Sequence, residues 1–149
     1  MAELVAAVDI GGTTVKGGLY DEAGTVFGER QLMTGATGGG VGLLNAVIGL
    51  VRRLIESAPG AVVAAGLVSP GAEARSGTVR RAVNLDWADL PLAGAVREAV
   101  GIPVAVEHDV RAAARAEATF GAARGVSEVF FVALGTGVAG AHVVGGRAG

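Results

Sequence analysis

The stretch DIGGTTVKGGLYDEAG, residues 9–24, decides how the rest of the chain is interpreted. It joins a short apolar run, residues 4–10, to an alternating run, residues 14–20, through a glycine pair, and it ends in the polar turn DEAG. The alternating run places its larger apolar side chains on one face and Lys16 and Tyr20 on the other, which is the period of a strand. The stretch therefore predicts two strands joined by a tight glycine turn, followed by a hairpin.

The glycine turn raises the question of phosphate binding, and three interpretations compete. A P-loop needs its lysine directly before Ser or Thr at the start of a helix, and a Rossmann fingerprint also opens a helix; Lys16 lies within a predicted strand. What remains is a turn between strands whose successive N–H groups face an anion. Asp9 would orient hydrated Mg²⁺ and Thr13 would donate to a phosphate oxygen. An ordinary β-hairpin with a Gly-Gly turn fits this segment equally well.

Composition bounds the remaining possibilities. The chain has 149 residues, of which 51% are hydrophobic and 17% charged, so it has enough apolar material for a core and does not resemble a disordered segment. Its net charge of −2 disfavours a broad nucleic-acid surface, and its lack of cysteine excludes disulfides and thiolate metal sites. We see no signal peptide and no long apolar run, and expect a cytoplasmic protein without membrane or nucleic-acid partners. The 26 glycines accompany an Ala- and Arg-rich composition, so position must carry any glycine motif.

The other apolar runs predict strands with helices between them. The predicted elements are a third strand over 25–32, a helix over 43–57, a strand over 61–68, a short helix over 90–101 that stops at Gly101, a strand, polar corner and helix over 103–125, and a strand–glycine turn–strand over 128–144. The fold class is α/β, with a hairpin-rich mixed sheet.

Two further stretches add to the first. EHD, residues 107–109, stands where a strand ends and a helix begins, a position at which side chains point into a crevice of an α/β sheet. Asp109 at such a corner would also serve as a helix N-cap. LGTGVAG, residues 134–140, is a second glycine turn between strands, with Thr136 available for a phosphate, although a plain hairpin has the same pattern.

Taken in order, DIGGTTVK, SPG near residue 70, NLDW at 84–87, EHD and GTGVAG resemble the ROK family of repressors, open reading frames and sugar kinases. The resemblance implies an actin-like ATPase / ribonuclease H-like lobe, with a mixed sheet flanked by helices, and the first hairpin of a second similar lobe. We expect a sugar- and phosphate-binding lobe over 1–124 and the start of a second lobe over 125–149. The resemblance further implies an ATP-dependent hexose kinase that is glucokinase-like.

The resemblance also implies site residues, which we expect to converge around one cleft. Asp109 would be the base that accepts the proton of a hexose hydroxyl, commonly the 6-OH, while Asp9 would position Mg²⁺ through water. The residues expected to meet ATP phosphates are Asp9, Gly11, Gly12, Thr13, Lys16, Gly135, Thr136 and Gly137. The residues expected to meet the sugar are Gly71, Asn84, His108 and Asp109.

Departures from the family pattern leave alternatives open. His108 stands where the family usually has Asn, and Arg111 where it usually has another Asn, so the identity of the sugar is in doubt. The zinc segment expected after the second glycine turn would lie beyond this chain, so we expect an incomplete enzyme whose full-length form is a homodimer. The alternatives are a sugar-sensing transcriptional regulator and an inactive relative. A regulator of this family would carry a helix-turn-helix before the first motif, and only eight residues precede Asp9 here.

Overall fold

The structure, a computed structural model, describes residues 2–135 and 137–149, which form eleven strands and three α-helices. The strands are β1 (Leu4–Ile10), β2 (Thr14–Tyr20), β3 (Val26–Met33), β4 (Val62–Ser69), β5 (Ala72–Glu73), β6 (Thr78–Ala82), β7 (Trp87–Leu90), β8 (Val104–His108), β9 (Glu128–Leu134), β10 (Val138–Val144) and β11 (Arg147–Ala148). The helices are α1 (Gly40–Glu56), α2 (Leu92–Val100) and α3 (Asp109–Phe120). In the described part of the chain, no helix is long and apolar enough to cross a membrane.

The main sheet has five strands in the order β3-β2-β1-β4-β8. β1 pairs antiparallel with β2 and parallel with β4, and β2 pairs antiparallel with β3. The sheet is therefore mixed and begins as a hairpin-rich meander, and the α/β class expected from the sequence is confirmed. The turn 11–13 joins two antiparallel strands and opens no helix, as the alternating pattern predicted.

Helix α1 packs on one face of this sheet because β2 leaves room for it. A side chain at Gly17 would lie 3.0 Å from Leu54 and 3.1 Å from Leu50, both of which are buried. The helix begins at Gly40, three residues before the predicted start, because its first turn contains glycines whose missing side chains cannot contribute to an apolar period. Its apolar stripe joins one core with the buried residues of β1, β2 and α2.

A second, three-stranded antiparallel sheet has the order β5-β6-β7. Gly71 precedes β5 with φ of 68°, and its carbonyl accepts a hydrogen bond from Arg80 N–H at 2.9 Å. A β-carbon at Gly71 would overlap the backbone carbonyl of Arg81. A turn this close to β6 therefore requires glycine.

Contacts divide the chain into two compact units, Met1–Glu107 and His108–Gly149. In the second unit, α3 packs on a three-stranded antiparallel sheet in the order β11-β10-β9, around buried Ala114, Ala141 and Val143. This division lies before α3, whereas the sequence suggested a boundary after it, at residues 124 and 125. The functional lobes proposed from the sequence stay a prediction.

We predict that Gly71→Ala destabilises the protein by at least about 2 kcal/mol, because alanine at positive φ is strained and its β-carbon meets backbone that cannot rotate away. Urea unfolding followed by circular dichroism measures the difference. Gly28→Ala is the control, since Gly28 lies in β3 with nothing within 4 Å of its β-carbon position. Equal stability of the two variants would show that the structure misplaces Gly71 relative to β6.

Candidate functional site

The glycine turn between β1 and β2 is held in place by Thr34, the first residue after β3. Gly11 N–H closes the turn by donating to the carbonyl of Thr14 at 2.9 Å. The hydroxyl of Thr34 donates to the carbonyl of Gly11 at 2.7 Å, and the amide of Thr34 donates to the carbonyl of Thr13 at 2.9 Å. Thr34 is only 3% exposed. One buried residue thus binds both of these carbonyls of the turn.

The N–H groups of Gly12 and Thr13 are in a different situation. Both residues are exposed, and within residues 2–135 and 137–149 no hydrogen bond takes up either N–H. Adjacent backbone donors that share one turn are suited to an anion. The N–H of Gly11 donates within the turn, to the carbonyl of Thr14. Gly11 therefore has no N–H left for a phosphate, and its predicted contribution is limited to letting a phosphate come close to the backbone.

Asp9 and Lys16 lie side by side at the mouth of this turn. They are register partners on β1 and β2, and they line an open groove of about 600 Å³ on the face opposite to α1. Opposite charges directly across an antiparallel pair attract each other. Mg²⁺ in phosphate sites is typically bound through one or two carboxylates, several waters and the phosphates, so a single aspartate at this position fits the ion. Among the described residues, no group of three or more His, Asp or Glu gathers as a metal site.

Asn84 lies against the glycine turn. It stands on a short 3-10 turn, Val83–Leu85, and a β-carbon at Gly12 would be 3.6 Å from the β-carbon of Asn84. The structure therefore brings the predicted phosphate turn and one predicted sugar residue together within the first unit. Trp87, two residues after the 3-10 turn, is only 4% exposed and packs in the core. Its Nε1–H donates to the carbonyl of Gly40 at 2.9 Å.

His108 and Asp109 form a second cluster, at the point where β8 ends and α3 begins. Asp109 is the first residue of the helix, and the N-cap position belongs to His108, so Asp109 itself is not the N-cap. The Oδ1 atom of Asp109 nevertheless accepts from Val110 N–H at 2.8 Å. Nδ1 of His108 lies 3.3 Å from Val110 N and 3.1 Å from Oδ1 of Asp109. The two side chains are 32% and 38% exposed, so a substrate could reach the carboxylate.

The second glycine turn, like the first, has a hydrogen bond from the N–H of its first glycine, but the acceptor is two residues further along instead of three. Gly135 N–H donates to the carbonyl of Gly137 at 2.9 Å, between the paired ends of β9 and β10. Gly135 and Gly137 are both exposed, while Thr136 lies outside the described residues. Both glycine pairs therefore stand between antiparallel strands, as the sequence predicted.

The predicted site residues thus fall in two different units. Residues 9–16, with Gly71 and Asn84, belong to the first unit, and residues 108–137 belong to the second. Their convergence on one cleft stays a prediction. Thr34 was missed from the sequence because its partner, the carbonyl of Gly11, lies 23 positions earlier and is a backbone atom. The only signal was its position, directly after the strand that pairs with β2.

Comparisons with known proteins agree with this fold and these motifs. The glucokinase of Streptomyces coelicolor is 35% identical over 147 residues, which cover 97% of this chain and 44% of that protein. A ROK family glucokinase from Streptomyces griseus, solved in complex with glucose and AMPPNP, matches with a TM-score of 0.86 and 34% identity, covering 97% of this chain and 46% of that one. A putative xylose repressor of Caldicellulosiruptor sp. is 29% identical over 146 residues, which cover 95% of this chain and 37% of the repressor.

This chain therefore spans less than half the length of each of these three relatives. The likeness to ROK glucokinases confirms the actin-like ATPase fold predicted from the sequence. The ROK family model itself matches residues 5–149. This chain belongs to the ROK family.

Proposed function

We propose that the full-length protein phosphorylates a hexose with ATP, and that this chain supplies the base and the first phosphate-binding turn. The observation that carries the proposal is the turn at residues 11–13, where Gly12 lies next to Asn84, two adjacent N–H groups are exposed, and Thr34 binds the carbonyls of Gly11 and Thr13. Phosphoryl transfer depends mainly on positioning and on electrostatic stabilisation of the phosphates. A turn that presents donors, with its carbonyls held elsewhere, meets that need.

In this proposal the carboxylate of Asp109 accepts the proton of a hexose hydroxyl, commonly the 6-OH, as that oxygen attacks the γ-phosphorus. The bond between the γ-phosphorus and the β–γ bridging oxygen breaks, ADP leaves with the electron pair, and the proton remains on Asp109 until solvent removes it. Gly12 and Thr13 bind phosphate oxygens, and Lys16 adds a positive charge beside them. Asp9 would hold Mg²⁺ through water, and the ion would neutralise phosphate charge when bound.

Glucose and ATP are the first substrates to test. The Streptomyces griseus glucokinase, 34% identical, was solved in complex with glucose and AMPPNP, which supports this pair. Asn84 and His108 would contact the sugar, and Gly71 would hold the backbone near it. Because His108 replaces the usual Asn, a hexose other than glucose is an expected result of a sugar panel.

A sugar-responsive regulator is the second candidate. It is favoured by the putative xylose repressor, which is 29% identical to this chain. The two candidates differ in chemistry: a regulator would bind the sugar without hexose-dependent release of ADP. The carboxylate of Asp109 is required for transfer but not for binding alone.

We predict that Asp109→Asn lowers kcat of the full-length protein by about 10²–10⁴, because the amide cannot accept the proton of the attacking hydroxyl. The melting temperature should change little, since the Oδ1 of asparagine still accepts from Val110 N–H. Steady-state kinetics on the best sugar and a thermal melt give both values.

Asp21→Asn is the matched control for this variant. Asp21 Oδ1 also accepts backbone N–H groups, from Ala23 at 3.0 Å and from Thr25 at 2.8 Å, but in the hairpin after β2. Its kcat should stay within about twofold of wild type, as expected for an exposed turn away from the site. Near-normal kcat in Asp109→Asn would remove Asp109 from catalysis.

We also predict that Thr34→Val raises KM for ATP about tenfold and leaves KM for the sugar nearly unchanged. Loss of the hydroxyl leaves the Gly11 carbonyl without its partner, which costs about 1–3 kcal/mol and loosens the turn. Thr119→Val, which deletes an exposed hydroxyl bond to the carbonyl of Arg115, is the control. An equal effect of Thr34→Val on both values of KM would contradict a specific role in the phosphate turn.

A further inference from the structure

At the start of α3, one backbone donor, Val110 N–H, faces two side-chain atoms that can accept its proton, Oδ1 of Asp109 and Nδ1 of His108. The single N–H of Val110 lies 2.8 Å from Oδ1 of Asp109 and 3.3 Å from Nδ1 of His108. The remaining pair, Nδ1 and Oδ1, is 3.1 Å apart. Oδ1 of an ionised carboxylate can only accept, whereas the ring nitrogen donates or accepts depending on its tautomer.

The distances favour one arrangement of the protons. The shorter contact of Val110 N–H is with Oδ1, at 2.8 Å, whereas its hydrogen bond to Nδ1, at 3.3 Å, is longer and therefore weaker. If Nδ1 carried no proton, its lone pair would face a lone pair of Oδ1 at 3.1 Å. With a proton on Nδ1, the same contact becomes a charge-assisted hydrogen bond.

We infer that His108 is a positioning residue for Asp109: its Nδ1–H donates to Oδ1 and fixes the rotation of the carboxylate. The inference rests on the proposed function, in which Asp109 is the base. With this tautomer, Val110 N–H at 2.8 Å and Nδ1–H at 3.1 Å both donate to Oδ1, so the two donors hold the plane of the carboxylate from the backbone and from the ring. Oδ2 is then the oxygen presented to the hydroxyl that loses its proton.

If His108 positions Asp109, substitutions of His108 should lower kcat according to whether they keep a donor near Oδ1. Asparagine carries its amide nitrogen on the same carbon, Cγ, that carries Nδ1 in histidine, so His108→Asn retains a donor near Oδ1. His108→Ala retains none. A catalytic group that is misplaced by about 1 Å can lose as much as 10²-fold in rate, which sets the scale of the effect.

The first test measures kcat and both KM values of the full-length protein on its best sugar. His108→Ala should lower kcat about 10–100-fold and leave KM for ATP within about twofold, and His108→Asn should recover at least about tenfold of that loss. His142→Gln is the control, because the exposed His142 side chain bonds the exposed Glu128 and lies against Phe130 in the second unit's sheet, and its kcat should stay within about twofold. A variant His108→Asn no better than His108→Ala overturns the inference.

The second test distinguishes positioning from helix capping, since His108 also occupies the N-cap of α3. If His108 acts through Asp109, His108→Ala should lower kcat by about twofold or less in the Asp109→Asn background. The reason is that the effects of substitutions at two residues that act together do not add. A role in capping alone would lower the melting temperature and have the same effect on kcat in both backgrounds. That result would overturn the inference.

The third test does not depend on activity. A two-dimensional ¹H–¹⁵N spectrum of the full-length protein at a pH where the ring is neutral shows which nitrogen of His108 carries the proton, with His108→Asn used for assignment. The inference requires the Nδ1–H tautomer and its loss in Asp109→Ala; the Nε2–H tautomer in the wild type overturns it. If no hexose is phosphorylated, the proposed function fails and this spectrum still decides on the contact.

Discussion

The hydrogen bond from the Thr34 hydroxyl to the carbonyl of Gly11 is the constraint on which the conformation of the first glycine turn depends. Carbonyl oxygens repel phosphates, so a turn that binds an anion must direct them elsewhere. Thr34 does this for two of them, with its hydroxyl on Gly11 and its amide on Thr13. Because Thr34 is buried and fixed by β3, the orientation of the turn is set by the sheet and precedes any ligand. Such preorganisation is how proteins stabilise charge without reorganising when the ligand arrives.

Packing around the two sheets of the first unit explains where glycine is required and where it reflects composition. Gly17 lets Leu50 and Leu54 of α1 approach β2, and Gly71 lets its turn lie against β6. In contrast, a side chain at Gly28 or Gly35 would meet nothing within 4 Å. Glycine is therefore required only where two segments of backbone, or a backbone and a helix, approach closely.

The sequence predicted the elements well where side chains carry a period. The alternation around Lys16 placed it in a strand, excluded a P-loop, and is confirmed by the pairing of β1 with β2. The start of α1 was placed too late because Gly40 and Gly42 carry no side chain that could show a helical period. Hydrophobic periodicity indicates which side chains face a core. It gives no signal for helical turns that contain glycine, which has no side chain.

The site was harder to predict because its chemistry depends on contacts between distant atoms. The motif pointed to Asp109, but the N-cap of α3 belongs to His108, and the two compete for the same N–H at distances that no sequence pattern encodes. Thr34 reaches a backbone carbonyl far away in the chain and leaves no motif. The family resemblance predicted the candidate site residues, while the structure showed the hydrogen bonds of Thr34, His108 and Val110 that hold two of the candidate regions in place.

Hexose-dependent release of ADP by the full-length protein tests the central claim most directly. A coupled assay over a panel of hexoses, with the product identified by NMR, should show ADP formation that requires one hexose and Mg²⁺ and yields the sugar 6-phosphate. If sugars bind, as measured by calorimetry, and none stimulates ADP release, the protein is a sugar-binding regulator or an inactive relative and the kinase account is wrong.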